Sequence, residues 1–122
     1  MVAVDSVEAY LAGRDPGAVA FFRKFEELVE ACGPVVPAPS KTVVYWKRNR
    51  VFAGAHVNGG RLELVIDLLR EAEHPLRLAA FNTTKRVITL RLRITDADEL
   101  DESIAALLQE AYDDVGPGAR GG

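Results

Sequence analysis

The sequence has few of the residues that build disulfide frameworks and metal sites. Its 122 residues include one cysteine, Cys32, and two histidines, His56 and His74. A single thiol excludes an internal disulfide. No His/Cys pair has ligand spacing, so a zinc site would need carboxylates from distant parts of the chain. We therefore expect neither a metal nor a cofactor.

Long apolar runs and targeting signals are also missing. The most apolar stretch, residues 62–69, is interrupted by Glu63 and Asp67 and is far too short to cross a bilayer. The first residues lack the basic start and apolar run of a signal peptide. These absences favour a cytoplasmic protein that makes no contact with a membrane.

Motifs typical of enzymes are absent as well. No serine has the Gly-x-Ser-x-Gly setting that exposes a nucleophile, and no glycine-rich loop leads into a helix. Cys32 lies at the C-terminal end of a predicted helix, where the carbonyl dipoles disfavour a thiolate. The sequence therefore names no catalytic residue, although a small enzyme with His56 as acid or base stays open.

Apolar residues make up 48% of the chain, which is enough for the core of one domain of this length. The net charge of −3 is distributed unevenly. Residues 41–93 hold eleven Lys and Arg against four acids, whereas residues 94–122 hold eight acids against one Arg. The last seven residues are four Gly with one Pro, one Ala and one Arg, and they offer no apolar side chain that could anchor them. We therefore predict one domain over 1–115 and a flexible tail over 116–122.

Two segments have the apolar period of an amphipathic helix. The first begins at Asp15-Pro16, where an acceptor side chain precedes a proline that needs no N–H partner, and it covers 16–32. The second covers about 98–114. Ser6 is a suitable cap for a short helical turn before them.

Four other runs have the pattern of strands, and the segment between the third and fourth has none. Apolar and polar residues alternate most clearly in the last run. We expect a loop with a short helix over 69–81. The fold class predicted is α+β, a four-stranded antiparallel sheet with the N-terminal and C-terminal helices packed on one face. The strands are expected at residues 41–47, 50–57, 61–68 and 86–94.

The Asn58-Gly59 pair is the strongest turn signal, because a type I′ turn needs positive φ at both central positions. With this pair at the centre, the two flanking strands bring their apolar residues together on one face, and a slip of one residue would mix the faces. An assumed turn at residues 48–49 places Trp46 on the same apolar face.

The opposite face of the sheet is predicted to gather aromatic and basic residues. Tyr45 lies beside Phe52 there, and Arg91 and Arg93 extend the face on the fourth strand. Such a face can stack bases and neutralise phosphates. We therefore predict a non-catalytic binding module for a small anionic ligand or a short single-stranded nucleic acid. The candidate ligand-binding residues are Lys41, Tyr45, Phe52, His56 and Arg61.

Other interpretations of this face stay open. The pair Tyr45 and Phe52 can instead be covered by the segment 69–81 or by a helix, or it can form a homodimer surface. The acidic C-terminal helix would repel a long polyanion, so duplex DNA is not the expected partner.

Short patches along the chain resemble one bacterial family. Together they span about residues 6–112, and none is a catalytic signature. They resemble the family numbered 5655 among the domains of unknown function, which is distantly similar to the YdhG-like small α+β domains. The resemblance implies an α+β fold and supplies no activity. The patches are Ala31-Cys32-Gly33-Pro34, Ser40-Lys41-Thr42, Phe52-Ala53, His74-Pro75 and Glu110-Ala111-Tyr112.

Overall fold

Six antiparallel strands form one sheet, and helices cover one of its faces. The structure, a computed structural model, describes residues 6–118. A 3-10 helix at Ala97–Glu99 precedes the last α-helix. The α-helices are α1 (Val7–Leu11), α2 (Pro16–Glu30) and α3 (Glu102–Asp114), and the strands are β1 (Val36–Pro39), β2 (Val44–Lys47), β3 (Val51–Asn58), β4 (Arg61–Leu68), β5 (Arg77–Asn82) and β6 (Ile88–Ile94).

The strand order across the sheet is β1-β2-β3-β4-β6-β5. The predicted α+β class with an antiparallel sheet is confirmed, but the prediction of four strands is wrong. One missed strand, β1, contains Pro37 and Pro39, which a sheet tolerates only at its edge. The other, β5, lies in the segment predicted as loop and helix, where Ala79 and Ala80 give little strand signal.

The helices begin where their capping residues predict. The Asp15 carboxylate accepts a hydrogen bond from the Ala18 N–H at 3.0 Å, and Pro16 follows as the first helical residue. Asp101 caps α3, which begins later than predicted because the preceding residues form the separate 3-10 turn. Ser6 caps α1, as expected.

The core lies between the sheet and the helices α2 and α3, which both contact β3 and β4 and each other. Trp46 is buried here, as predicted. Its ring centroid lies 5.5 Å from that of Phe22 and 5.6 Å from that of Phe25, both on α2. These three rings join the first hairpin to the longest helix.

A β-bulge interrupts the pairing of β2 with β3. Trp46 pairs with Ala53, whereas Lys47 pairs with Val51, so Phe52 is the extra residue. The two residues of a bulge oppose one residue of the partner strand, and the alternation of faces is broken at that point. The predicted alternation therefore fails on the N-terminal side of Ala53.

Phe52 consequently points toward the helices. Its side chain is fully buried, and its ring makes an edge-on contact with Tyr112 of α3 at a centroid distance of 5.4 Å. The prediction that Phe52 lies beside Tyr45 on the second face is wrong, because Phe52 shares the helix-covered face with Trp46.

The second hairpin turns one position later than predicted. Asn58 pairs with Arg61, so the central residues are Gly59 and Gly60. Only Gly59 has a positive φ, of 60°, which is the pattern of a type II′ turn rather than type I′. The shift changes each cross-strand partner by two positions, so the predicted apolar face is kept.

The end of α3 is fixed to the turn between β2 and β3. The Gly116 carbonyl accepts hydrogen bonds from the N–H groups of Asn49 and Arg50, each at 2.9 Å. Gly116, the first residue of the predicted tail, is buried. Residues 119–122 of that predicted tail lie outside the described residues.

The reversed position of Phe52 gives a stability test with a matched control. Phe52→Ala removes a fully buried ring and is expected to lower the free energy of unfolding by about 3–5 kcal/mol. Phe81→Ala makes the same chemical change at a side chain that is 48% exposed, and a loss of about 0.5 kcal/mol or less is expected. Urea unfolding followed by circular dichroism measures both. Equal midpoints for the two variants would contradict the assignment of faces.

Candidate functional site

The sheet face opposite the helices, called the outer face from here on, has no helix over it in residues 6–118. Tyr10 of α1 contacts Phe22 of α2, so α1 also lies on the helix side. The segment after β4 lies there too, since Arg70 forms an ion pair with Glu110 of α3. The segment 69–81 was one alternative cover for this face, and its first part, around Arg70, lies on the helix side instead.

A concavity of about 410 Å³ lies on the outer face, across β2, β3, β4, β6 and the β5 edge. It holds two large exposed aromatic side chains, Tyr45 and Phe81. We call it the outer pocket. Its lining residues are Tyr45, Arg50, Val51, Ala53, Val65, Asp67, Phe81, Thr83 and Thr89.

Gly54 makes room for the ring of Tyr45. The two residues are cross-strand partners in β2 and β3. A Cβ at position 54 would lie 2.7 Å from Tyr45 Cδ1 and 2.9 Å from Val65 Cγ2, closer than real carbon contacts allow. The tyrosine ring therefore rests on the bare backbone of β3, and the missing side chain fixes its place in the pocket wall.

Asp67 is the buried polar group of the outer pocket. Its Oδ1 accepts a 2.7 Å hydrogen bond from the Thr89 hydroxyl, which in turn is hydrogen-bonded to the Thr83 hydroxyl. Burial raises the pKa of Asp67, against the lowering effects of the Thr89 hydrogen bond and the Arg50 charge. No donor among the described residues reaches Oδ2, so this oxygen is available to a ligand.

Glu63 is the second buried carboxylate of the outer face, and it has a different environment. Arg91 and Arg93 form ion pairs with it at 2.9 and 3.4 Å, and Asn58 donates to it at 3.3 Å. Burial opposes ionisation, but the hydrogen bonds from Asn58 and the two arginines outweigh it and lower the pKa of Glu63. The single negative charge of Glu63 therefore compensates one of the two positive charges that were expected to make this face basic.

The five predicted ligand-binding residues do not lie together in one site. Tyr45 lines the outer pocket, and Phe52 lies on the other side of the sheet. Lys41, His56 and Arg61 lie at one end of the outer face, because the start of β2, the end of β3 and the start of β4 meet there. Nδ1 of His56 donates to the Thr42 carbonyl, which leaves Nε2 unprotonated in the neutral ring.

Several pocket residues were missed by sequence reasoning. The available signal for Asp67 was its position as a charge inside the most apolar stretch of the chain. The only sequence signal for Thr89 was the apolar and polar alternation of β6. Phe81 lies in a segment without a strand pattern, so the sequence gives no signal for it. No local pattern shows which outward-facing strand residues become buried.

A serine, a histidine and an aspartate meet at the start of α3, but their order is not that of a catalytic triad. His74 Nδ1 accepts from the Leu76 N–H, so Nε2 carries the proton and donates to Ser103 Oγ at 2.8 Å. Ser103 donates in turn to Asp101 at 2.6 Å. A triad needs the serine to donate to the histidine. This network instead caps α3 and fixes the loop before β5 to it.

Within residues 6–118, no helix has the length and apolar character needed to cross a bilayer. No group of three or more His, Cys, Asp or Glu side chains there is arranged to hold a metal ion.

The two buried carboxylates predict opposite effects of pH on stability. A raised pKa in the folded state means that Asp67 stabilises most below its unfolded value of 3.8 and loses that contribution as pH rises through the folded value. A lowered pKa means that Glu63 stabilises above its unfolded value of 4.5 and loses that contribution as pH falls.

Asp67→Asn is therefore expected to raise the free energy of unfolding relative to wild type at about pH 7, and Glu63→Gln to lower it. Both differences should shrink below about pH 4, where the wild-type groups become protonated. Urea unfolding at the two pH values measures them. Changes of the same sign at about pH 7 would contradict the assigned environments.

The chain was compared with known proteins. No curated protein and no solved structure matches it. One family model matches residues 7–115, which is most of the chain, and its description is "Domain of unknown function (DUF5655)". The match says nothing of the YdhG-like domains, and that similarity stays a prediction. The patches that suggested the family lie inside the matched range or at its edge, and the chain belongs to the family described as Domain of unknown function (DUF5655).

Proposed function

We propose that this domain is a non-catalytic binding module and that its outer pocket holds a small organic anion with a flat ring. The observation that supports this most is the outer pocket itself. It is concave, about 410 Å³ in volume, and combines apolar walls with a few convergent polar groups. Ligand sites in proteins have this size and composition.

The walls of the pocket suit a flat, weakly polar body. Tyr45 and Phe81 both line it and both are exposed, and Val65 lies between their strands on β4. Aromatic side chains stack on planar rings and bury large areas at a low entropic cost. A ligand ring held here would cover two exposed aromatic side chains at once.

The polar groups of the pocket indicate two functional groups on the ligand. Arg50 is the cation of the lining, and no described carboxylate forms an ion pair with it, so it can receive an anionic group. Asp67 Oδ2 can accept a hydrogen bond from an N–H or O–H group of the same ligand. A mononucleotide has a ring, donors and a phosphate, which makes it the first probe to use.

Electrostatics favours a small ligand over a long nucleic acid. Glu63 compensates one of the two positive charges of Arg91 and Arg93, so this part of the outer face is less basic than its arginines alone would make it. Asp67 would also repel a phosphate placed next to it whenever it is ionised. His56, the acid or base of the alternative enzyme, lies outside the pocket lining.

A second candidate is phosphate binding at the basic end of the outer face. Lys41 and Arg61 form no ion pair with any described carboxylate, and His56 has a ring nitrogen free of protein partners. This site would hold an anion without a ring, or the phosphates of a short single strand. It makes no use of Asp67.

Isothermal titration with a mixture of mononucleotides, then with each alone, tests the proposal. Tyr45→Ala and Arg50→Ala are expected to weaken binding by about tenfold or more each, because each removes about 1.4 kcal/mol or more of contact. Gly54→Ala should weaken it as well, since the added Cβ displaces the Tyr45 ring. Leu69→Ala, an exposed apolar residue outside the pocket, is the matched control and should leave binding unchanged.

The double variant Lys41→Ala, Arg61→Ala separates the two candidates. Binding that is unchanged in this variant but lost in Tyr45→Ala supports the outer pocket. Binding that is lost in the double variant and kept in Tyr45→Ala would move the site to the basic end. No binding of any mononucleotide to the wild type at low salt would overturn the proposed ligand class.

A further inference from the structure

The two edges of the sheet are protected to different degrees. On one edge, β1 carries Pro37 and Pro39, which have no N–H to donate to another strand. On the other edge, β5 has no proline and no lysine along its six residues. Natural proteins block exposed edges with such residues because an open edge pairs with other strands. The β5 edge lacks proline and lysine, and its one irregularity is a bulge at Leu78 near the start of the strand.

Large apolar side chains are exposed along the open edge. Leu78 is 42% exposed and Phe81 is 48% exposed, and both belong to β5. The only charged residue of β5 is Arg77 at its start, which forms ion pairs with Glu71 and Glu73. The rest of the strand presents apolar and small residues to whatever lies beside it.

The charges at the two ends of β5 are complementary. Glu71 and Glu73 lie beside its first residue and are largely exposed, and with Arg77 they leave a net negative charge. Lys85 follows the strand at its other end and is exposed. Two β5 strands running antiparallel would place the acidic end of each copy against the basic end of the other.

We propose that β5 pairs antiparallel with the β5 of a second copy of this chain, so that one continuous sheet runs through a symmetric dimer. The two-fold axis is then perpendicular to the sheet, and the interface uses the same surface on both copies. Because this axis keeps both outer faces on one side, the two outer pockets lie next to each other. This inference goes beyond the proposed function and does not depend on it.

Sedimentation velocity over a range of concentrations tests the dimer with two matched variants. Leu78→Lys places a charge on the edge, whereas Leu69→Lys places the same charge at an apolar residue of equal exposure, 41% against 42%, outside β5. Wild type and Leu69→Lys are expected to dimerise, and Leu78→Lys should weaken the dimer by about tenfold or more. Circular dichroism confirms that each variant is folded.

An exchange of charges tests the antiparallel arrangement. One variant carries Glu71→Lys with Glu73→Lys, and the other carries Lys85→Glu. The homodimer of each variant should be weaker than that of wild type, because like charges then meet at both ends of the paired strands. A mixture of the two variants should form a dimer with one copy of each.

Three results would overturn the proposal. The first is a wild type that stays monomeric up to about 0.5 mM, a concentration at which even a weak specific dimer should be populated. The second is equal dimerisation of Leu78→Lys and Leu69→Lys. The third is a mixture of the two charge-exchanged variants that remains monomeric.

Discussion

The β-bulge at Phe52 decides what both faces of the sheet can do. It places Phe52 against Tyr112 on the helix side, although regular alternation from Ala53 would have placed Phe52 on the outer face. The same irregularity brings Val51 to the outer pocket instead of the core. One extra residue in a short hairpin thus completes the core under α3 and opens the floor of the pocket. The buried contact of two aromatic rings is the stabilising interaction that holds the bulge in place.

The end of α3 supports the same hairpin from outside. Arg48 donates to the Tyr112 carbonyl at 3.3 Å, and its guanidinium lies 4.7 Å from the centre of the Tyr112 ring. A cation at the C-terminal end of a helix also interacts favourably with the helix dipole. Together with the Gly116 carbonyl, these contacts fix the backbone of Arg50, which lies at the rim of the outer pocket. The pocket therefore depends on contacts made on the opposite side of the sheet.

Two buried carboxylates divide the outer face electrostatically. Glu63 is satisfied by two arginines and an amide, and its stabilisation by these donors exceeds the cost of burial. Asp67 accepts a hydrogen bond from one hydroxyl, that of Thr89, on one oxygen only, and burial dominates its pKa. The first arrangement is that of a structural ion-pair cluster, whereas an incompletely satisfied carboxylate in a concavity is typical of a binding site. Arg70, Arg77, Arg91 and Arg93 form ion pairs, so part of the positive charge of residues 41–93 is compensated within the fold.

The helices and the apolar face of the sheet could be predicted from the sequence because their signals are local. Caps such as Asp15 and the spacing of apolar residues are set by backbone geometry within one element. The bulge could not be predicted, since the choice between Phe52 and Val51 for burial depends on a ring of α3 that lies far away in the sequence. The outer pocket was missed for the same reason. Its parts come from five strands, and one of them, β5, has too weak a pattern to be found.

Phe81 connects the pocket with the open edge of the sheet. It lies on β5, it lines the outer pocket, and it is paired with Thr89, whose hydroxyl bonds Asp67. An exposed phenylalanine on an edge strand is costly for a protein that must avoid aggregation, so its presence needs a compensating contact. The proposed ligand and the proposed second copy would each supply one, and both would act on the same strand. If one protein binds both, the two binding equilibria are coupled, and the coupling free energy is reciprocal. Any factor by which the ligand changes the dimerisation constant is then also the factor by which dimerisation changes the affinity for the ligand.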